Sequence, residues 1–70
     1  MITTALNAVH RESFDRYLRE GTRIKVSTHK GYQIGTVSEV GDYYFALVDE
    51  EDGSELLVLF AHIFTYQPLY

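Results

Sequence analysis

Gly41-Asp42-Tyr43-Tyr44-Phe45-Ala46-Leu47-Val48-Asp49 decides how this chain is read. It opens on an acid and two tyrosines, continues as a near-unbroken apolar run, and closes into the turn-forming Asp49-Glu50-Glu51-Asp52-Gly53-Ser54. A run without apolar/polar alternation suits a strand covered on both faces better than one half in water. Just past the turn, Glu55-Leu56-Leu57-Val58-Leu59-Phe60 is apolar at every position after the first and has the same requirement. Two consecutive strands therefore need cover on both sides. One face goes to a core, and the other calls for an amphipathic helix or a second subunit.

Downstream, Ala61-His62 makes a short break, and Ile63-Phe64-Thr65-Tyr66-Gln67 reads as a last strand ended by Pro68. So apolar a final strand is an aggregation hazard unless another chain pairs with it. Upstream, residues 4–20 read as a helix, with Leu6, Val9, Phe14, Tyr17 and Leu18 as an approximate i, i+3/i+4 stripe. Thr3 or Thr4 is its expected cap and Gly21 its stop. Arg11, Arg16 and Arg19 fall largely off the stripe, on a solvated face where Glu12 to Arg16 and Asp15 to Arg19 are expected i, i+4 pairs. Thr22 to Thr28 alternates as a half-exposed strand, and His29-Lys30-Gly31 is a turn. Tyr32 and Ile34 start the next strand in phase, but Val37 and Val40 break the parity, which predicts a bulge or sharp bend at Gly35.

Seventy residues make one domain, spanning 1–70. A chain of this size buries only about 60% of its unfolded surface and is marginal alone. With no cysteine, neither disulfides nor a thiolate-held zinc can staple it, which leaves oligomerisation as the common remedy. The longest apolar stretch, Leu56 to Ala61, is far short of the roughly 20 residues of a membrane span, and Met1-Ile2-Thr3-Thr4 lacks a basic leader. A soluble, cytoplasmic protein is expected. The net charge of -4 is uneven: all six bases lie between Arg11 and Lys30, while seven acids and no Lys or Arg follow Gly31. An acidic total argues against indiscriminate nucleic-acid binding yet permits a local basic rim.

Catalytic signatures are missing, with no nucleophile elbow, phosphate-cradling glycine loop or His-Glu-x-x-His helix, so neither catalysis nor a cofactor is expected. His10 and His29 have no partner at metal-ligand spacing. The acidic loop fails as a calcium loop, because Gly53 at the invariant glycine puts Val48 at the first ligand and Leu59 at the last. No metal is expected, and the loop reads as a solubilising hairpin turn.

Arg19-Glu20 before the first strand, Ile24-x-Val26 within it, Lys30-Gly31 at the turn, Asp42-x-Tyr44 opening the third strand and Ile63-x-Thr65-x-x-Pro68 at the end together carry a family resemblance. The chain resembles the Sm-like family, most nearly the bacterial Hfq-type RNA chaperones, over nearly its whole length, with a longer loop around residues 49 to 54. The resemblance implies a mainly β fold: an N-terminal helix over about 4–20, then a five-stranded, strongly bent SH3-like/Sm-like barrel over about 22–67. It also implies a homo-oligomeric ring of about five to seven subunits. In such a ring the last strand of each subunit pairs with the fourth strand of its neighbour, with Leu57, Leu59, Phe64 and Tyr66 at the seam.

What the resemblance implies for function is binding of single-stranded, often uridine-rich, RNA around the pore. Tyr44 stands where the family places a base-stacking aromatic and Tyr43 at the preceding polar contact; Asp42 and His62 complete the pore candidates, with Arg16 and Arg19 as rim candidates. Base stacking on an aromatic face is worth roughly 1 to 3 kcal/mol. The family's Lys-His pair before the last strand is Phe60-Ala61 here, its base-reading Asn is Ala46, and its first-strand aromatic is Ser27, for which Tyr32 could substitute. Each residue also has a plainer reading: Tyr44 as an aromatic at a subunit seam, Asp42 as a turn carboxylate accepting backbone N–H groups, His62 as a satisfied loop histidine. A protein-binding or structural ring without RNA affinity and a monomeric SH3-like adaptor therefore stand as alternatives.

Overall fold

The computed structural model describes the backbone from Ile2 to Tyr70 and the side chains from Val9 onward. Helix α1 (Ile2–Glu20) starts ahead of both Thr3 and Thr4, so neither is its cap. Its end follows the expectation. Gly21 adopts φ +65°, and the Thr22 N–H reaches back to the Tyr17 carbonyl at 3.2 Å, which satisfies an otherwise orphaned C-terminal acceptor.

The face that α1 buries differs from the predicted stripe. Phe14 and Tyr17 are buried and His10 and Ser13 half-buried, whereas Val9 and Leu18 point outward; the Leu6 side chain lies outside the described residues. Positions 10, 13, 14 and 17 share one helical face. That face packs on the second strand and on a 3-10 turn before the last. The two i, i+4 pairs expected on the outer face do not form. The ion pairs among the described residues are Arg11 with Asp42 and Arg23 with Glu50.

Five strands follow: β1 (Arg23–Thr28), β2 (Gly31–Val40), β3 (Tyr44–Asp49), β4 (Glu55–Leu59) and β5 (Ile63–Pro68), with a 3-10 turn, Phe60–His62, before β5. They form one antiparallel sheet in the order β4-β3-β2-β1-β5. The last strand thus returns to pair with the first, leaving β4 and β5 as the two outer strands.

The bend in β2 comes from two features, not one. The register against β3 shifts between Val37 and Glu39, so Ser38 is the bulge, three residues beyond the predicted site. Gly35 serves a different need. It is buried so close to β3 that a Cβ there would run into the Val48 carbonyl.

Phe14 is the centre of the core. Its ring stacks on Phe45 (centroids 4.2 Å apart, 11° between planes), lies 5.6 Å from Phe60 and packs at 4.8 Å on Tyr66. Ile24 and Val26 of β1, Val37 of β2 and Leu47 of β3 complete the cluster. Cover on both faces of β3 is met: Phe45, Ala46 and Leu47 are buried in succession, and successive strand residues point to opposite faces. Cover on both faces of β4 is not met. Leu56 and Val58 are half-buried, but Leu57 and Leu59 are exposed.

Phe14→Ala is expected to lose about 3–5 kcal/mol, since it empties the space between four aromatic rings. Gly35→Ala should lose about 1–3 kcal/mol by forcing β2 off β3. Urea unfolding followed by circular dichroism measures both, and a loss below about 1 kcal/mol for Phe14→Ala would contradict this account of the core.

Candidate functional site

Leu57 (69% exposed), Leu59 (43%) and Phe64 (69%) make the outer strands of the sheet apolar toward solvent. Each of these strands also has an edge without a partner, so backbone donors and acceptors stand free beside large apolar side chains. Tyr66, on the same last strand, is turned the other way. It packs with Phe14 and Tyr17, and its hydroxyl lies 3.1 Å from Nδ1 of His10, so its ring belongs to the subunit's own core.

Next to β4 lies an open cleft of about 430 Å³ with Leu57 and Leu59 on one side and Thr28, His29, Lys30 and Gln33 on the other. His62 enters it from the 3-10 turn. Local geometry explains how His29 and Lys30 get there. Gly31 at φ +109° permits the tight turn after Thr28, and the Lys30 N–H donates to the Thr28 hydroxyl at 3.2 Å, which holds His29 and Lys30 at the apex. The His29 and His62 rings meet edge-on with centroids 5.7 Å apart.

The β2–β3 turn carries the other candidates. Tyr43 is 69% exposed, and its carbonyl accepts the Phe60 N–H at 2.9 Å, which ties this turn to the 3-10 turn that ends in His62. Tyr44 is less free. Its ring lies against the bare backbone of Gly41 and its hydroxyl donates to Glu39 Oε2 at 2.7 Å. That hydrogen bond, and then the charge of the Glu39 carboxylate, holds the Tyr44 phenol above its ordinary range. Asp42 accepts from the Arg11 guanidinium at 2.7 Å instead of from backbone N–H groups, so it braces the turn to α1. Arg16 and Arg19 lie exposed on α1, with the Arg16 guanidinium 5.6 Å from the Tyr17 ring centroid.

No family profile matches this chain, and no curated protein matches it in sequence. The chain is similar in structure to "the pleiotropic translational regulator, Hfq", seen in a crystal structure at 1.55 Å: the TM-score is 0.73 at 20% identity, covering 84% of this chain and 97% of that one. The fold is Sm-like. The five antiparallel strands and N-terminal helix expected from the residue pattern are thereby those of a known architecture.

Within this Sm-like fold the predicted site residues divide into two groups. Tyr43 and His62 stand on turns that touch through backbone, whereas Asp42 and Tyr44 are engaged inside their own subunit. Phe60 is buried in the aromatic core, so its side chain is not presented to solvent. His29, Lys30 and Gln33 were missed as site residues because a three-residue turn gives no sign of facing a loop some thirty positions away. The one signal was that Lys30 is the last Lys or Arg in the sequence and His62 the last His.

The acidic loop is held by its own side chains, as a turn. Asp49 Oδ1 accepts the Glu51 N–H at 2.8 Å, Asp52 Oδ1 accepts both the N–H and the hydroxyl of Ser54, and Gly53 sits at φ +77°. The Ser54 hydrogen bonds lower the Asp52 carboxyl, and the Arg23 fork lowers the Glu50 carboxyl. Arg23 donates to Glu50 at 2.7 and 2.9 Å, but both groups are solvent-exposed, where such pairs contribute little stability.

The Tyr44 phenol is expected to titrate above free tyrosine, and Glu39→Gln to bring it down, because the substitution removes the carboxylate that opposes the phenolate. A ring-carbon NMR titration of all six tyrosines reads this; a Tyr44 midpoint unmoved by Glu39→Gln would sink the assignment.

Proposed function

We propose that this chain is a non-catalytic, cytoplasmic Sm-like protein that closes into a homo-oligomeric ring and binds single-stranded, uridine-rich RNA at the inner surface of that ring. The observation that carries the ring is the pair of unpartnered edges, β4 and β5, on one bent sheet, each bearing exposed apolar side chains. Pairing β5 of one copy with β4 of the next continues the sheet and satisfies both rows of backbone groups. Leu57, Leu59 and Phe64 then meet at the seam, to which Tyr66 contributes its backbone while its ring remains in its own subunit. A closed ring of about five to seven copies leaves no free edge.

For RNA, the supporting features are the exposed Tyr43 ring, a flat stacking surface, and the cleft that holds Lys30 with His29 and His62. Arg16 and Arg19 on α1 offer phosphate contacts at the rim, and Tyr44 and Asp42 shape the turn that presents Tyr43. The structurally similar protein is described as a translational regulator, which accords with an RNA-directed role. A protein-binding ring is the second reading, favoured by the seven acids after Gly31 and by the use of Phe60 as core where a basic side chain would face RNA.

Native mass spectrometry with a short oligouridylate separates these. A closed oligomer that gains one RNA is the expected result; a closed oligomer without RNA supports the protein-binding ring, and a monomer overturns both. RNA affinity should fall steeply as salt rises, because phosphate neutralisation releases counterions. Phe64→Glu should dissociate the oligomer while leaving the subunit folded, since Phe64 is exposed in the single chain and the buried charge is felt only at a seam. Size-exclusion chromatography with light scattering checks it, and an unchanged mass would refute the edge pairing.

A further inference from the structure

The cleft beside β4 concentrates basic groups in a chain that is acidic overall. Lys30 is its fixed cation, and His29 and His62 are its titratable bases. Its other lining residues, Thr28, Gln33 and the apolar stretch Leu56 to Leu59, are uncharged, so among the described residues no carboxylate lines the cleft. The grouping is a product of folding. His29 and Lys30 come from the β1–β2 turn and His62 from the 3-10 turn, yet the two imidazoles lie 5.7 Å apart between centroids.

Three basic groups without a counter-ion define what fits there. An anion seated in the cleft would lie beside Lys30 and both imidazoles together. The ammonium, the imidazole N–H groups, the Gln33 amide and the Thr28 hydroxyl are all donors, and the oxygens of a tetrahedral phosphate are all acceptors. We propose that His29, Lys30 and His62 form a phosphate-binding subsite that takes up protons as it fills and therefore binds more tightly as pH falls. The sign follows from linkage. A bound anion favours the imidazolium forms, so by reciprocity imidazolium formation favours the anion, and affinity is gained as pH drops through the ordinary histidine range near about 6.5. The phosphate comes either from a free phosphate compound or from a nucleic-acid phosphodiester. The three residues belong to one subunit, and the subsite does not depend on RNA binding.

The test is an NMR titration of the three histidines between about pH 8 and pH 5 at constant ionic strength. It is run in chloride alone, with inorganic phosphate, and with a short oligouridylate, whose internal phosphodiesters keep their charge across this range. The midpoints of His29 and His62 should rise by about half to one pH unit with a phosphate-bearing probe, while that of His10, paired to Tyr66, stays put. Lys30→Gln should weaken probe binding about three- to tenfold near pH 6 and less at pH 8, and His62→Gln should flatten the pH dependence. Both side chains are exposed, so the sheet amide spectrum should be unchanged and reports folding independently.

A rise with inorganic phosphate assigns a free-phosphate source, and a rise with the oligouridylate alone assigns the phosphodiester; either supports the subsite. A rise with phosphate in a protein that fails to bind oligouridylate upholds this proposal while defeating the RNA reading. Midpoints identical in all three conditions, or a probe affinity near pH 6 that Lys30→Gln leaves unchanged, overturn it.

Discussion

The stacking of Phe14 on Phe45 is the contact from which the rest of the structure follows. A chain of seventy residues has too little interior to tolerate a vacancy. Here one helical side chain touches rings from β3, the 3-10 turn and β5, so four segments far apart in sequence share a single packing centre. Because Phe60 belongs to that centre, the turn it begins is anchored and His62 leaves it in a defined direction. Because Tyr66 belongs to it too, β5 is drawn back against β1, and the sheet acquires its unusual order with the fourth and fifth strands outermost.

That order creates the protein's liability and its opportunity together. A subunit whose interior is spent on rings cannot also cover Leu57, Leu59 and Phe64, and these lie on the strands that lack a neighbour. Burial by a second copy resolves the apolar exposure and the open edges in one step. The polar chemistry gathers near the same margin: the cleft at His29, Lys30 and His62 borders the outward side of β4, so whatever lines up along that edge also stands beside the basic groups. Elsewhere two arginines are paired with acids, Arg11 with Asp42 and Arg23 with Glu50.

Particular residues show how much could be read in advance. The unbroken apolar run of β3 announced burial on both faces, and Phe45, Ala46 and Leu47 are buried in succession. Gly21 and the loop glycine Gly53 stand where the backbone turns left-handed. The helix stripe was read less well, since Val9 and Leu18 were counted inward and His10 was overlooked; apolar character alone misplaced the face by part of a turn. In β2 the loss of parity was detected but assigned to Gly35, when the bulge is at Ser38 and the glycine answers to the nearby Val48 carbonyl. Of the candidate site, His62 was legible as a group in the break before the last strand, whereas the place of Tyr43 on a bend ahead of β3 and the engagement of Tyr44 with Glu39 and of Asp42 with Arg11 were not.

The sequence by itself determined the local features: one helix with its stop, five strands, the self-bonded acidic turn, and an excess of apolar strand surface over what so short a chain can hide. Periodicity and turn chemistry act over a few residues, so they are written in neighbouring letters. Only the tertiary structure decided which strands are outermost, which aromatic rings face inward, and that the β1–β2 turn meets His62 across a cleft. Those outcomes depend on the twist and bend of the whole sheet and on one phenylalanine inserted beneath it. They arise between residues far apart in the chain, where no local pattern carries the information.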